Sequence, residues 1–197
     1  MSSPAPSIGA YPVLADVVGG SHARDAVLVV AGAALTALCA QISIHVPPSP
    51  VPITGQTFAV VMAGACLGAR RGGSSQLLYV VAGLVLPIYA GGASGWHTFW
   101  GPSGGYLVAF PIAAWAIGRL AEHGRDRYLL TAFASYGVGQ LIVFGVGVPW
   151  LKVSADLPWS IAVHEGFTIF IVGGVIKAAT AGVLTPIAWR AVRQYEC

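Results

Sequence analysis

Apolar residues along this chain gather into six long stretches, and the short segments between them collect proline, glycine and arginine. The stretches cover about residues 26–44, 52–69, 74–89, 104–120, 128–150 and 161–189. Most approach the ~20 residues that an α-helix needs to cross a bilayer. The second is short and is extended back to Pro52 to serve. Ahead of it, prolines at 47, 48, 50 and 52 impose extended or turn geometry, so Val46–Thr54 reads as a stiff loop at a membrane face. Arg70, Arg71, Gly72 and Gly73 read as the turn between the second and third stretches. Residues 90–105 mix glycines with Trp96, Phe99 and Trp100, which suits either a lid over a pocket or a loop in the interfacial aromatic belt. The pattern predicts a short polar segment over 1–25 and one membrane domain over 26–193, an all-α integral membrane protein with six transmembrane helices.

Composition removes the soluble alternative. The chain is 56% hydrophobic and 9% charged, with mean hydropathy +0.75, whereas soluble domains carry roughly 25% charged residues. A net charge of +3 is too small to imply a nucleic-acid partner. The 26 glycines and 13 prolines form no repeat, and in helical membrane proteins they signal close packing and broken helices. Cys39, Cys66 and Cys197 make no CxxC pair, and the first two read as buried thiols. Residues 1–22 lack the basic and apolar regions of a cleavable signal, so the first span is expected to direct insertion itself.

Charge then orients the spans. Arg24, Arg70, Arg71, Arg119, Arg125, Arg127, Arg190 and Arg193 all fall on one face of a six-span topology. The positive-inside rule makes that face, and with it both termini, cytoplasmic, and a multi-pass protein of the cell membrane is expected. The proline loop, the Gly/aromatic loop and the Lys152–Pro158 turn would then all lie outside, where a solute arrives.

One charge does not fit this scheme. Lys177 lies near the middle of the last stretch, where a charged amine costs ~2.5 kcal/mol or more. Gly173, Gly174, Thr180 and Ala181 are one turn away on the same side of a helix, so the amine is expected to look onto a groove. It either reaches Glu165 or a lipid headgroup, or faces a ligand oxygen. Catalytic constellations are poor: the five histidines lack metal-site spacing, and no phosphate-binding loop is present. The expectation is that the protein is not an enzyme, uses no cofactor, and takes any nucleotide energy from a partner. Ala33-xxx-Ala37 gives the first span a small-residue register, suited either to internal packing or to docking a second protein.

Several segments together resemble the BioY family, the substrate-binding (S) subunits of energy-coupling-factor (ECF) biotin transporters. They are Ser49-Pro-Val-Pro-Ile-Thr-Gly-Gln-Thr57, Ala63-Gly-Ala-Cys-Leu-Gly-Ala-Arg-Arg-Gly72, Leu86-Pro-Ile-Tyr-Ala-Gly-Gly92, Gly101-Pro-Ser-Gly-Gly-Tyr106, Val148-Pro-Trp-Leu151 and the Phe170…Gly173…Lys177 pattern. The resemblance covers almost everything after Ala26. It implies an S-component-like fold of six helices and a biotin site near the outer face. It also implies partnership with a transmembrane coupling subunit and two cytoplasmic ATPase subunits, met through Ala33 and Ala37. Lys177, Gly174, Gly173, Phe170, Gln56, Tyr89, Trp96 and Tyr106 are the expected substrate-binding residues. The family pattern Pro-Gly-Asp-x-x-Lys has an acid where this chain has Gly174. Either Gln56 or Glu165 supplies the missing acceptor, or the ligand is another vitamin or small carboxylate. A self-sufficient secondary transporter is the further alternative.

Overall fold

The computed structural model describes residues 11–17 and 19–195, with side chains to residue 192. Expectations for residues 1–10, the Arg193 side chain, Glu196 and Cys197 lie outside the described residues. The fold is all-α apart from two short strands. Helices are α1 (His22–Ala40), α2 (Gln56–Gly83), α3 (Gly95–Trp100), α4 (Gly104–Glu122), α5 (Leu129–Ser154), α6 (Trp159–Gly166) and α7 (Ile171–Tyr195). The strands β1 (Ser43–Ile44) and β2 (Ile53–Thr54) pair antiparallel and clasp the proline loop between them. Four stretches are long and apolar enough to cross a membrane: α1, α4, α5 and Trp159–Val192.

The second and third apolar stretches form one helical hairpin inside α2. Its hinge is Gly68, at φ 83° and ψ 176°, a conformation open to glycine and strained for other residues. The arms 56–67 and 69–83 run back along each other, as the hydrogen bond from Gln56 Nε2 to Tyr79 Oη shows. The turn therefore falls at Gly68, and Arg70–Gly73, expected as the turn, are helical. Glu122 of α4 makes this possible: its Oε1 accepts from the Ala69 N–H at 2.8 Å, capping the new helix start with a negative charge. The stretch expected as one span over 161–189 is likewise interrupted. At Phe167 the backbone leaves helical geometry (φ −133°, ψ −56°), and a 3₁₀ turn at Thr168–Phe170 separates α6 from α7.

Small residues fix the packing of α2 on α4. A Cβ on Gly64 would stand 2.6 Å from the Ala114 carbonyl oxygen, and one on Gly118 would overlap the Gly68–Ala69 backbone. Ala109, Ala113 and Ala114 are fully buried there. Outward faces are apolar, with Val27, Val30 and Leu38 on α1 and Val172, Val175 and Ile176 on α7. On α1 the expected docking register is turned the other way. Ala33 is buried in the core and Ala37 packs against it, because α1 uses this side to approach α2; Ala31 and Ala34 face outward instead.

The arginine-bearing segments gather at one end. Arg71 bridges Asp16 at 2.6 Å and Asp25 at 3.0 Å, tying the N-terminal segment and α1 to the hinge of α2. Trp189 Nε1 donates to the buried Asp126 carboxylate at 2.7 Å, and the Arg127 guanidinium lies 4.7 Å over the Trp189 ring. The β-clasp, the 84–103 segment, the α5–α6 connection and the break before α7 sit at the other end.

Candidate functional site

A cavity of about 210 Å³ opens among those irregular segments. The proline loop brings Val51 and Pro52 to it, the Gly/aromatic segment brings Ala93 and Thr98, and the helix break brings Phe170. Helices α4 and α5 complete the wall with Tyr106, Phe110, Val143 and Phe144. The aromatic side is built from contacts between these elements. Tyr106 and Phe170 stack with centroids 6.3 Å apart, and Phe144 meets both at 6.4 and 6.0 Å. Gly147 and Gly166 allow the Tyr106 ring its place. Its hydroxyl donates to the Gly166 carbonyl at 2.8 Å, and the Tyr89 hydroxyl donates to Val80 at 2.6 Å. Both tyrosines thus turn apolar ring surface to the cavity while their polar ends are held by backbone.

Lys177 reaches the cavity from α7. Its Nζ donates to the Thr54 carbonyl oxygen at 2.5 Å and to Thr57 Oγ1 at 3.0 Å, at the junction of β2 and α2. An ammonium carries three donors, so one remains for a guest. Among the described residues Lys177 has no ion-pair partner, unlike Arg71 and Arg119. Gly174, one turn earlier, also borders the cavity, and a Cβ placed there would meet nothing within 4 Å.

The structure brings most of the expected site residues together. Lys177, Gly174, Phe170, Gln56, Tyr89 and Tyr106 all line this one cavity. Gly173 and Trp96 do not. Gly173 packs toward Ile53, and Trp96 is 60% exposed, edge-on to Phe99 in a chain of rings that continues through Trp100 to Trp150. The Gly/aromatic segment contributes small side chains to the cavity while Trp96 and Trp100 lie on the outer surface, the geometry of the interfacial belt. The small residues around Lys177 are also divided: Thr180 is exposed and Ala181 is buried in a separate cluster, because one helix turn carries them past the cavity.

The two expected substitute acceptors are already engaged or lie away from the cavity. Glu165 is not in the cavity wall; its backbone oxygen accepts from Ser49 Oγ at 2.9 Å, which anchors the proline loop to α6. Gln56 lines the wall, but its Nε2 donates to Tyr79 Oη at 2.6 Å and its Oε1 accepts from Thr54 Oγ1 at 2.7 Å. A different residue stands out. Gln140, 9% exposed, borders the cavity, and neither of its amide atoms has a hydrogen-bond partner. Each unpaired buried group costs ~1–3 kcal/mol. The signal was present in the sequence, since a lone amide in the middle of the apolar stretch 128–150 needs a reason.

The protein is thus a helical membrane domain with an aromatic-walled cavity near one end and the half-buried cation Lys177 beside it. The sequence model of the BioY family matches residues 12–194, and the chain belongs to that family. It is 37% identical to the "Probable biotin transporter BioY" of Pyrococcus horikoshii, over 82% of this chain and 94% of the relative. It is 36% identical to the "Biotin transporter BioY2" of Lactococcus lactis subsp. cremoris, over 77% of this chain and 82% of the relative. Among solved structures, it superposes with a TM-score of 0.74 on the S-component for biotin from an ECF-type ABC transporter. That match is at 26% identity and covers 85% of this chain and 93% of the other.

Proposed function

We propose that the protein is the membrane-embedded substrate-binding subunit of a biotin importer, which captures biotin at the outer face of the cell membrane. The observation that carries this reading is the cavity itself. It lies at the end opposite the arginines, has an apolar and aromatic wall, and holds one unmatched donor of Lys177. Biotin is mostly apolar carbon and sulfur with a polar group at each end, which such a lining suits. Relatives named as biotin transporters and a solved S-component for biotin support the same ligand. An ECF-type transmembrane coupling subunit and two cytoplasmic ATPase subunits would supply the energy; the solved neighbour supports this assembly.

In this reading Lys177 donates to a ligand oxygen, and Tyr89, Tyr106 and Phe170 wall the rings and tail. Lys177→Ala is expected to weaken biotin binding by about tenfold or more, the loss of a charge-assisted hydrogen bond. Calorimetry of the purified chain in detergent measures it, and unchanged affinity removes Lys177 from the site. Mass spectrometry of co-purifying ligand, followed by competition of labelled biotin with a vitamin panel, tests the substrate directly. Displacement of labelled biotin by a different vitamin at lower concentration than by biotin itself would transfer the site to that vitamin.

A further inference from the structure

Among the described residues, Gln140 is the one cavity-lining side chain whose amide is buried and unpaired at both ends. Three other polar side chains of the wall are already engaged: Gln56 with Thr54 and Tyr79, Tyr89 with Val80, Tyr106 with Gly166. A primary amide offers a donor and an acceptor side by side. A carboxylate, which only accepts, would satisfy Nε2 and leave Oε1 facing like charge. A group that only donates would satisfy Oε1 and leave Nε2 bare. Both atoms are met at once by an edge with an N–H beside a C=O, as a cyclic urea or lactam presents. The atoms are closed off from solvent, so the pairing needs a rotamer change at the end of the side chain, and the adjoining cavity gives it room. On α7, which packs on α5, Gly174 leaves further open space in the same cavity.

We propose that Gln140 is a specificity-determining residue that reads the ureido edge of the ligand, Oε1 accepting from a ring N–H and Nε2 donating to the ring carbonyl. The proposal rests on the biotin reading above and places on α5 the acceptor that Gly174 does not supply on α7. Lys177 keeps its remaining proton for a ligand oxygen.

The test is calorimetric titration of the full chain in detergent with biotin and with 2-iminobiotin. In the second compound a protonated guanidinium replaces the urea at neutral pH, so its edge donates only. The wild type is expected to prefer biotin strongly. Gln140→Glu, which only accepts, is expected to shift the ratio of the two affinities by roughly tenfold or more toward 2-iminobiotin. Gln140→Leu is expected to weaken biotin by about tenfold or more. The ratio is taken on one preparation, so a reduced folded fraction does not change it. An unchanged ratio in Gln140→Glu overturns the role of Gln140 while biotin binding by the wild type still stands. A wild type that does not bind biotin overturns the functional reading, and this inference falls with it.

Discussion

At the arginine end of the molecule, charged side chains tie separate elements to one another. Arg71 holds Asp16 and Asp25, Glu122 caps Ala69, and Trp189 donates to Asp126. At the cavity end, Lys177 has a spare donor and no ion-pair partner among the described residues, and Gln140 has no partner at all. Both ends also bury polar atoms without a hydrogen-bond partner: Arg24 Nη1, Asp126 Oδ1 and Arg127 Nε at the arginine end, and both amide atoms of Gln140 at the cavity end. Buried polar groups left unmatched weaken a fold unless something else meets them. What differs is the surroundings: at the arginine end ion pairs and a helix cap hold elements together, whereas Lys177 and Gln140 border a cavity. In the proposed function a guest in that cavity completes their pairing.

That contrast can be broken from either side. The largest effect is expected at the tight hinge. Gly118→Val would drive side-chain atoms into the Gly68–Ala69 backbone, and a loss of roughly 3 kcal/mol or more is expected, seen as a large drop in melting temperature in detergent. Gly68→Ala is expected to cost about 1–3 kcal/mol, since φ 83° and ψ 176° strain any side chain. A normal melting temperature in both variants would mean that the hinge is not what holds this end.

A milder effect concerns Asp126, in the connection between α4 and α5. Burial pushes its carboxyl above the ordinary value of 3.8, while the Trp189 hydrogen bond and Arg127 pull the other way. The folded protein therefore takes up this proton more readily than the unfolded chain. Stability from this group rises as pH falls from neutrality through the raised value toward 3.8. Asp126→Asn keeps an acceptor for Trp189 and is expected to remove that pH-dependent gain, which melting curves of both proteins between neutral and mildly acidic pH will show. The smallest effect is expected from Trp96→Ala. The side chain is 60% exposed and outside the cavity wall, so biotin affinity by calorimetry should match wild type. A clear loss would bring Trp96 back as part of a closing lid.

Much of the cavity lining was legible in the sequence because cost in a membrane is legible. A lysine in an apolar run must be accommodated, and Lys177, Gly174 and Phe170 follow from helical spacing around it. Trp96 stands outside the cavity wall because glycine-rich aromatic segments suit a belt as well as a lid, and only packing such as the Trp100–Trp150 stack at 5.5 Å decides which side chains turn outward. Ala33 and Ala37 illustrate the same limit. A small-residue register states that something comes close, and on α1 that something is α2 of the same chain. The engagement of Gln56 with Tyr79 was not legible for another reason: hydrogen-bond partners distant in sequence cannot be counted without coordinates.

The sequence by itself determined that this is a helical membrane protein, which end carries the arginines, and that Lys177 needs an explanation. These follow from transfer energies of individual residues and from local backbone preference, both written along the chain. Only the tertiary structure decided that the second and third stretches hinge at Gly68, that the last stretch breaks at Phe167, and that Gln140 is left unpaired beside the cavity. Those outcomes depend on which distant groups come within hydrogen-bond reach and where backbones press together, and neither is fixed until the helices pack.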